Sequence, residues 1–272
     1  MNNITHLSLS GGGTKGLCAL GILQYLDEKC LLKNVKQIIG TSIGSVIGTL
    51  LCFMSPHEII NNIELFYKIS YNDINIRSLI TKYSLMTKEP FINEIEFFLQ
   101  KYFKCSPSFS ELFLKTGKHL IITASNITTH KTEYFDHHKF SNMKVIDAIK
   151  CSINIPIIFE KEIIDNNVYI DGSVFNNFEW NIFNDINDNN KIGILLKTKY
   201  VEKNTSTSLF GYIINIIEAC FSVMQKNTKK INHANIFHIE NDVPFFDLHY
   251  NEDKCMAMIK IGRDYAKCTL KN

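Results

Sequence analysis

Ile4 to Ser10, ITHLSLS, alternates apolar and polar positions with the period of a strand, and three glycines follow it. Beyond the glycines, Ala19, Ile22, Leu23, Leu26 and Cys30 recur at helical spacing on one face. The pattern therefore reads strand, glycine loop, helix. VKQIIG, residues 35–40, reads as a second buried strand. TSIGSVIGTLLCFM, residues 41–54, reads as a turn running into a helix with small residues on its face. Two strands joined by a helix make a βαβ unit with parallel strands. Ser55, Pro56 and Glu58 supply a cap, a first-turn proline and a carboxylate three residues after the cap, so a new helix starts there. The pattern from there to about Lys115 is mainly helical.

Further along, HLIITASNI (119–127) reads as a central strand and TEYFD (132–136) as its partner. KVIDAIKCSIN (144–154) reads as a short helix halted by Pro156. EIIDNNVYID (162–171) reads as a hairpin turning at Asp165, Asn166 and Asn167, with its second strand ending at Asp171. KIGILLKTK (191–199) and NIFHIEN (235–241) add strands on either side of a helix from about Ser208 to Lys226, and the tail from Glu252 is helical. The expected architecture is α/β: one domain over residues 1–272, with a mostly parallel central sheet flanked by helices and its motifs within about 4–200.

Composition narrows this without redirecting it. The chain has 272 residues, 45% hydrophobic and 21% charged, enough for a sizeable core. A formal charge of +2 gives no reason to expect a nucleic-acid partner. Eight cysteines form no CxxC pair, and no His/Cys cluster stands at metal-ligand spacing, so neither metal nor cofactor is expected and the thiols read as reduced and mostly buried. MNNITHLSLSGGG lacks a basic region followed by an apolar one, so the expected compartment is cytoplasmic. The longest apolar stretches, around Ile43–Met54 and Tyr212–Met224, fall short of the ~20 residues of a spanning helix.

Gly11, Gly13 and Gly16 satisfy the GxGxxG spacing between strand and helix, as a dinucleotide site would. Such a site also needs a carboxylate at the end of the second strand for the ribose hydroxyls. That position holds Gly40-Thr41-Ser42-Ile43-Gly44 instead, and no Walker loop is present. GxSxG is a sharp strand-to-helix turn that holds a serine Oγ exposed, which makes Ser42 the candidate nucleophile. It follows only the second strand, unlike the elbow of a Ser-His-Asp hydrolase. None of the nine histidines, at 6, 57, 119, 130, 137, 138, 233, 238 and 249, sits in a recognisable turn after a late strand. Asp171, in VYIDGS, is a carboxylate at a strand end followed by Gly172 and is the candidate base.

These motifs, in this order, resemble the patatin-like phospholipases, lipid acyl hydrolases that use a Ser-Asp dyad. GGGTKG (11–16) resembles the family's oxyanion loop, with Lys15 where Lys or Arg is usual. GTSIG (40–44) resembles its nucleophile elbow, AIKCSINIPIIF (148–159) its Ala-Ser-x-x-x-Pro segment, and YIDGSVFNN (169–177) the segment with the catalytic Asp. ITASNITTHKTEYFD (122–136) is similar to its mid-domain strand pair. Cys151 replaces a common Ala, and Ser173 a usual Gly or Ala; both substitutes are small.

The resemblance implies a patatin-like three-layer α/β/α fold and a lipid substrate presented at a membrane or micelle surface, with the protein soluble or peripheral. Ser42 would attack an ester carbonyl while Asp171 takes its proton. The N–H groups of Gly12, Gly13 and Ile43 would receive the oxyanion, and side chains at the two glycines would block the approach. Lys15 has two readings, orienting the loop or meeting a lipid phosphate on one hand and surface exposure on the other. Pro90–Lys104 likewise reads as an amphipathic helix on the core or as a membrane-docking face. Asn176 and Asn177 either cap a following helix or brace the Asp171 loop. Two alternatives to the hydrolase are a silent lipid-binding or scaffold protein of the same fold and a nucleotide-binding Rossmann protein.

Overall fold

The computed structural model describes residues 3–67, 74–183, 185–199, 208–227, 233, 235–241 and 251–270; the reading of His249 lies outside them. The first strand, β1 (His6–Leu9), leads through the glycines into α1 (Gly16–Glu28). Then come β2 (Gln37–Thr41) and α2 (Ile43–Leu50), completing the βαβ unit. β1 pairs in parallel with β2. The helical stretch follows: α3 (Pro56–Ile60), α4 (Ile76–Thr81), α5 (Glu89–Phe103) and α6 (Phe109–Thr116). Ser55 and Ser108 each close a capping box with the glutamate three residues on, which fixes where α3 and α6 begin.

β3 (His119–Asn126) returns the chain to the sheet beside β2, and β4 (Lys131–Phe135) folds back antiparallel to it. α7 (Val145–Ser152) ends ahead of Pro156. β5 (Glu162–Ile164) and β6 (Asn167–Asp171) form the expected hairpin, with Asp165 at φ 49° and Asn166 at φ 62°, the left-handed region that short hairpin turns require. β7 (Lys191–Thr198) inserts on the far side of β1, and β8 (Ile236–Asn241) lies beside it. Between them runs α8 (Leu209–Asn227), and α9 (Glu252–Thr269) closes the described chain.

The sheet runs β5-β6-β3-β2-β1-β7-β8, with β4 off the path on β3. Strands β3, β2, β1, β7 and β8 are parallel, as expected, and the antiparallel part gathers at the β4–β6 end. Strand order reverses between β1 and β7, and open α/β sheets place ligands at the carboxyl ends beside such a switch.

Alternate residues of β2 serve the two faces. Ile38 joins the main core with α1, α2, α5, α7 and α9, while Ile39 packs with Ile121 and Phe183 on the other side. Fully burying each such aliphatic contributes about 1.5–3 kcal/mol.

Three expectations change. Cys30 is not on the buried face of α1; it stands past the helix end at φ 57° and is exposed. Conversely, α1 is buried nearly all round, because α9 covers the side that its spacing assigned to solvent. The thiols are not mostly buried: Cys18, Cys52, Cys151 and Cys255 are, but Cys30, Cys105, Cys220 and Cys268 sit past helix ends or on outward faces.

Candidate active site

Strand register brings the two candidate residues together. Thr41 of β2 pairs with Thr123, Asp171 of β6 pairs with Ala124, and β4 occupies the opposite edge of β3 across both rows. A strand has only two edges, so β2 and β6 share one, meeting carboxyl end to carboxyl end. Ser42, one residue past Thr41, is thereby delivered to Asp171. Its Oγ donates a hydrogen bond to Asp171 Oδ2 at 2.5 Å, and both residues are buried. Gly172 permits the meeting, since a Cβ there would lie 2.7 Å from the Thr123 carbonyl oxygen.

The elbow is strained in the manner its motif implies, but the serine is not exposed as expected: Ser42 is 4% accessible, covered where its turn meets Asp171 and the glycine loop. Ser42 has φ 52° and ψ −125°, a conformation that costs a non-glycine residue on the order of 1–3 kcal/mol. The turn packs backbone on backbone: a Cβ on Gly40 would come within 2.3 Å of the Gly44 carbonyl oxygen, and one on Gly44 within 2.5 Å of that of Leu9. Two serines hold it. Ser42 N–H donates to Ser152 Oγ at 2.9 Å, and Ser45 Oγ donates to the Ser42 carbonyl at 2.7 Å.

The glycine loop is pinned beside the elbow. Ser10 Oγ accepts from Leu196 N–H and donates to the Gly11 carbonyl, both at 2.9 Å, and Gly11 N–H donates to the Asn177 carbonyl at 3.3 Å. Gly13, at φ 56°, opens a 3₁₀ turn over Gly13–Lys15, and Ile43 opens α2. First residues of helical turns have no acceptor for their N–H within the helix. Gly16 lets the start of α1 press on the elbow, for a Cβ there would meet Ile43 Cγ1 at 2.6 Å.

One expectation about this loop is corrected. A Cβ on Gly12 would point into Leu196, 2.8 Å away, so its small size serves packing on β7. A side chain that would obstruct the site is one at Gly11, where a Cβ would lie 2.1 Å from Ser173 Oγ and 3.1 Å from Ser42 Cβ. The exposed reading of Lys15 also fails, because the side chain is 1% accessible.

Asp171 is sealed from water, and burial pushes its carboxyl up to about 6, against hydrogen bonds from Ser42 Oγ and from Ser173 N–H at 2.8 Å that favour the charged form. Its backbone is held by Asn154. The Asn154 carbonyl accepts Asp171 N–H at 2.8 Å, and Asn154 Nδ2 donates to the Tyr169 carbonyl at 2.9 Å. Behind Asn154 stands Lys88, 4% exposed, which donates to Asn154 Oδ1 at 2.9 Å and pairs with Glu162 at 2.6 Å. Burial lowers the Lys88 pKa while Glu162 opposes that shift.

Ser152, Asn154 and Lys88 have no role in the sequence reading. Ser152 and Asn154 lie inside the quoted 148–159 segment, which bridges nucleophile and carboxylate; nothing in the sequence around Lys88 marks it.

Asn177 ties the segment after Asp171 to the glycine loop, its Nδ2 donating to the Gly11 carbonyl at 3.4 Å, while Asn176 Oδ1 accepts from Phe178 N–H at 3.3 Å; the next helical turns among the described residues, Asn181–Phe183 and Asp188–Asn190, begin beyond both, so neither caps a following helix. In α5, Phe91, Ile92, Ile95, Phe98 and Leu99 are buried, which is the core reading; Phe97 stays exposed. The histidines hold one surprise: His119, His137 and His138 converge, despite the absence of local ligand spacing.

These features define an α/β protein with a buried serine–carboxylate pair at the carboxyl ends of its sheet. The family model described as Patatin-like phospholipase matches residues 7–183, more than half of the chain, and the chain belongs to that family. It is 35% identical over 182 residues to "Probable lipid hydrolase 463L" of Invertebrate iridescent virus 6, an alignment covering 63% of this chain and 60% of that protein. It is 30% identical over 171 residues to Triacylglycerol lipase 5 of Saccharomyces cerevisiae, covering 57% of this chain but 22% of the yeast protein. The fold is also that of VipD from Legionella pneumophila, with a TM-score of 0.64 at 13% identity over 100% of this chain and 67% of the other.

Proposed function

We propose that this chain is a lipid acyl hydrolase in which Ser42 is the nucleophile and Asp171 the general base. The observation that carries the proposal is the 2.5 Å hydrogen bond from Ser42 Oγ to a fully buried carboxylate. Membership of a phospholipase family and the printed names of the viral and yeast relatives support the substrate class.

Asp171 takes the Ser42 proton as Oγ attacks an ester carbonyl, then returns it to the departing alcohol, leaving an acyl-enzyme. Water reverses the sequence, with Asp171 again receiving the proton. The oxyanion is received by the N–H groups of Gly12, Gly13 and Ile43, at the starts of two helical turns whose dipoles favour negative charge. Lys15 acts from within the fold by ordering the loop. The whole of residues 1–272 acts as one patatin-like domain, since β7, β8 and α9 complete the sheet and core begun by the matched region.

The substrate is presented at a lipid surface. Among the described residues no helix is long and apolar enough to cross a membrane. α8 packs beside Gly172–Val174, the turn after Asp171, burying Ile217 and Phe221 while Leu209, Tyr212, Ile216 and Val223 face outward. That apolar side borders the site and fits contact with acyl chains.

Fluorophosphonate labelling tests the assignment. One adduct, mapped to Ser42 by peptide mass spectrometry and lost in Ser42→Ala, is expected; an unlabelled wild-type protein that also cleaves no ester would overturn it.

A further inference from the structure

The three converging histidines lie away from the dyad. His119 begins β3, the row that pairs with Gln37 at the start of β2, whereas the elbow follows the row of Thr41 and Thr123. Four residues of strand separate the rows, roughly 13 Å. His137 and His138 lie in the turn after β4, closed by Phe140 N–H donating to the Asp136 carbonyl, and that turn meets the start of β3 where His119 stands.

We propose that His119, His137 and His138 form a binding site for a divalent transition-metal ion of the zinc class, distinct from the catalytic pair. One nitrogen from each ring lies within 4.8 Å of the others. Zinc–imidazole bonds of about 2.0–2.1 Å require a tighter spacing of roughly 3.4 Å, so binding draws the rings together by up to about 1.4 Å. His138 is exposed and has the freedom to move.

The other two rings are held in place. His119 Nε2 is 3.2 Å from Asp136 Oδ2, the carboxylate–imidazole pairing that orients metal-bound histidines and leaves the lone pair on Nδ1. Asp136 is itself fixed by the N–H groups of His138 and Lys139, each at 2.9 Å. The His137 ring stacks on Phe113 with centroids 4.0 Å apart, and its Nδ1 is buried with no hydrogen-bond partner. A buried polar atom left unpaired is destabilising, and a metal ion is a partner that satisfies an imidazole nitrogen.

Three imidazoles with no thiolate suit zinc, copper or nickel better than calcium or magnesium. Solvent beside His138 supplies the fourth ligand. The ion ties the segment after β4 to the start of β3 and takes no part in acyl transfer.

The test uses the full chain, stripped with chelator and titrated with Zn²⁺ by calorimetry, then with Co²⁺ as a visible-absorption probe. One saturable equivalent is expected, with tetrahedral cobalt bands and no thiolate charge-transfer band. His138→Ala, at an exposed position, should weaken binding at least about tenfold. Asp136→Asn, which keeps all three imidazoles, should weaken it about 10–100-fold. Thermal unfolding of the stripped proteins verifies that both variants fold. Absence of saturable binding, equal affinity in His138→Ala, or a thiolate band from the exposed cysteines would each overturn the proposal.

Discussion

A carboxylate sealed beside a hydroxyl is a stronger base than one in water, and Asp171, held up to about 6, is still ionised at neutral pH. kcat/KM is therefore expected to rise with pH through an acid limb near 6, and Asp171→Asn to lower kcat by about 10²–10⁴. The same shift has a cost in stability. The folded-state pKa lies above the unfolded 3.8, so this group's contribution is fully present below about 3.8 and is lost as pH rises through about 6. At roughly 1.4 kcal/mol per unit, the loss is on the order of 3 kcal/mol, so Asp171→Asn should unfold at higher temperature than wild type at pH 7.5, with the difference fading by pH 4. An acid-limb-free profile with an unchanged midpoint would contradict both. Glycine packing yields a second residue-scale expectation: Gly11→Ala should lower kcat about 10²-fold by crowding Ser173 and Ser42, whereas Gly12→Ala, pressing on Leu196, should appear first as a lower melting temperature. Steady-state kinetics and thermal melts of the pair distinguish the two. Ser42 and Asp171 were legible because each sits in a motif whose chemistry is local. Ser152, Asn154 and Lys88 were not, because their roles arise only where the end of α7 lands between the elbow and β6.

Among the elements, α1 and α9 are coupled most tightly. A Cβ on Gly21 would lie 1.9 Å from the Ile259 carbonyl oxygen, and one on Gly262 would lie 1.9 Å from that of Cys18, so the helices cross backbone against backbone. Gly262→Val should destabilise by at least about 1–3 kcal/mol through overpacking, read as a lower midpoint in denaturant. Because α1 springs directly from the glycine loop, esterase activity should be lost over the same range. An unchanged midpoint would mean that α9 docks elsewhere. Most elements were readable from periodicity and turn chemistry, the Asp165–Asn166 hairpin and the Ser55 capping box most directly. Periodicity misjudged α1, since a helix covered by a later helix buries a face that local spacing assigns to water, and it carried Cys30 past the point where the backbone leaves the helix.

For the molecule as a whole, the sequence order of the motifs conceals their spatial order. β1 and β2 announce a parallel sheet, but only the complete pairing shows β7 inserted beside β1, and β6 abutting β2 along one edge of β3. That head-on meeting is a non-local fact, and it is what turns two separated motifs into one site. The histidine cluster escaped for the same reason: it forms between the start of β3 and the turn after β4, and not along the chain. The central claim is that this geometry hydrolyses lipid esters through Ser42 and Asp171. Mass-spectrometric analysis of products from a mixed phospholipid, lysophospholipid and glyceride panel tests it most directly, comparing wild type with Ser42→Ala and Asp171→Asn. The account predicts fatty-acid release by the wild type and its near-complete loss in both variants; undiminished release from both would contradict it.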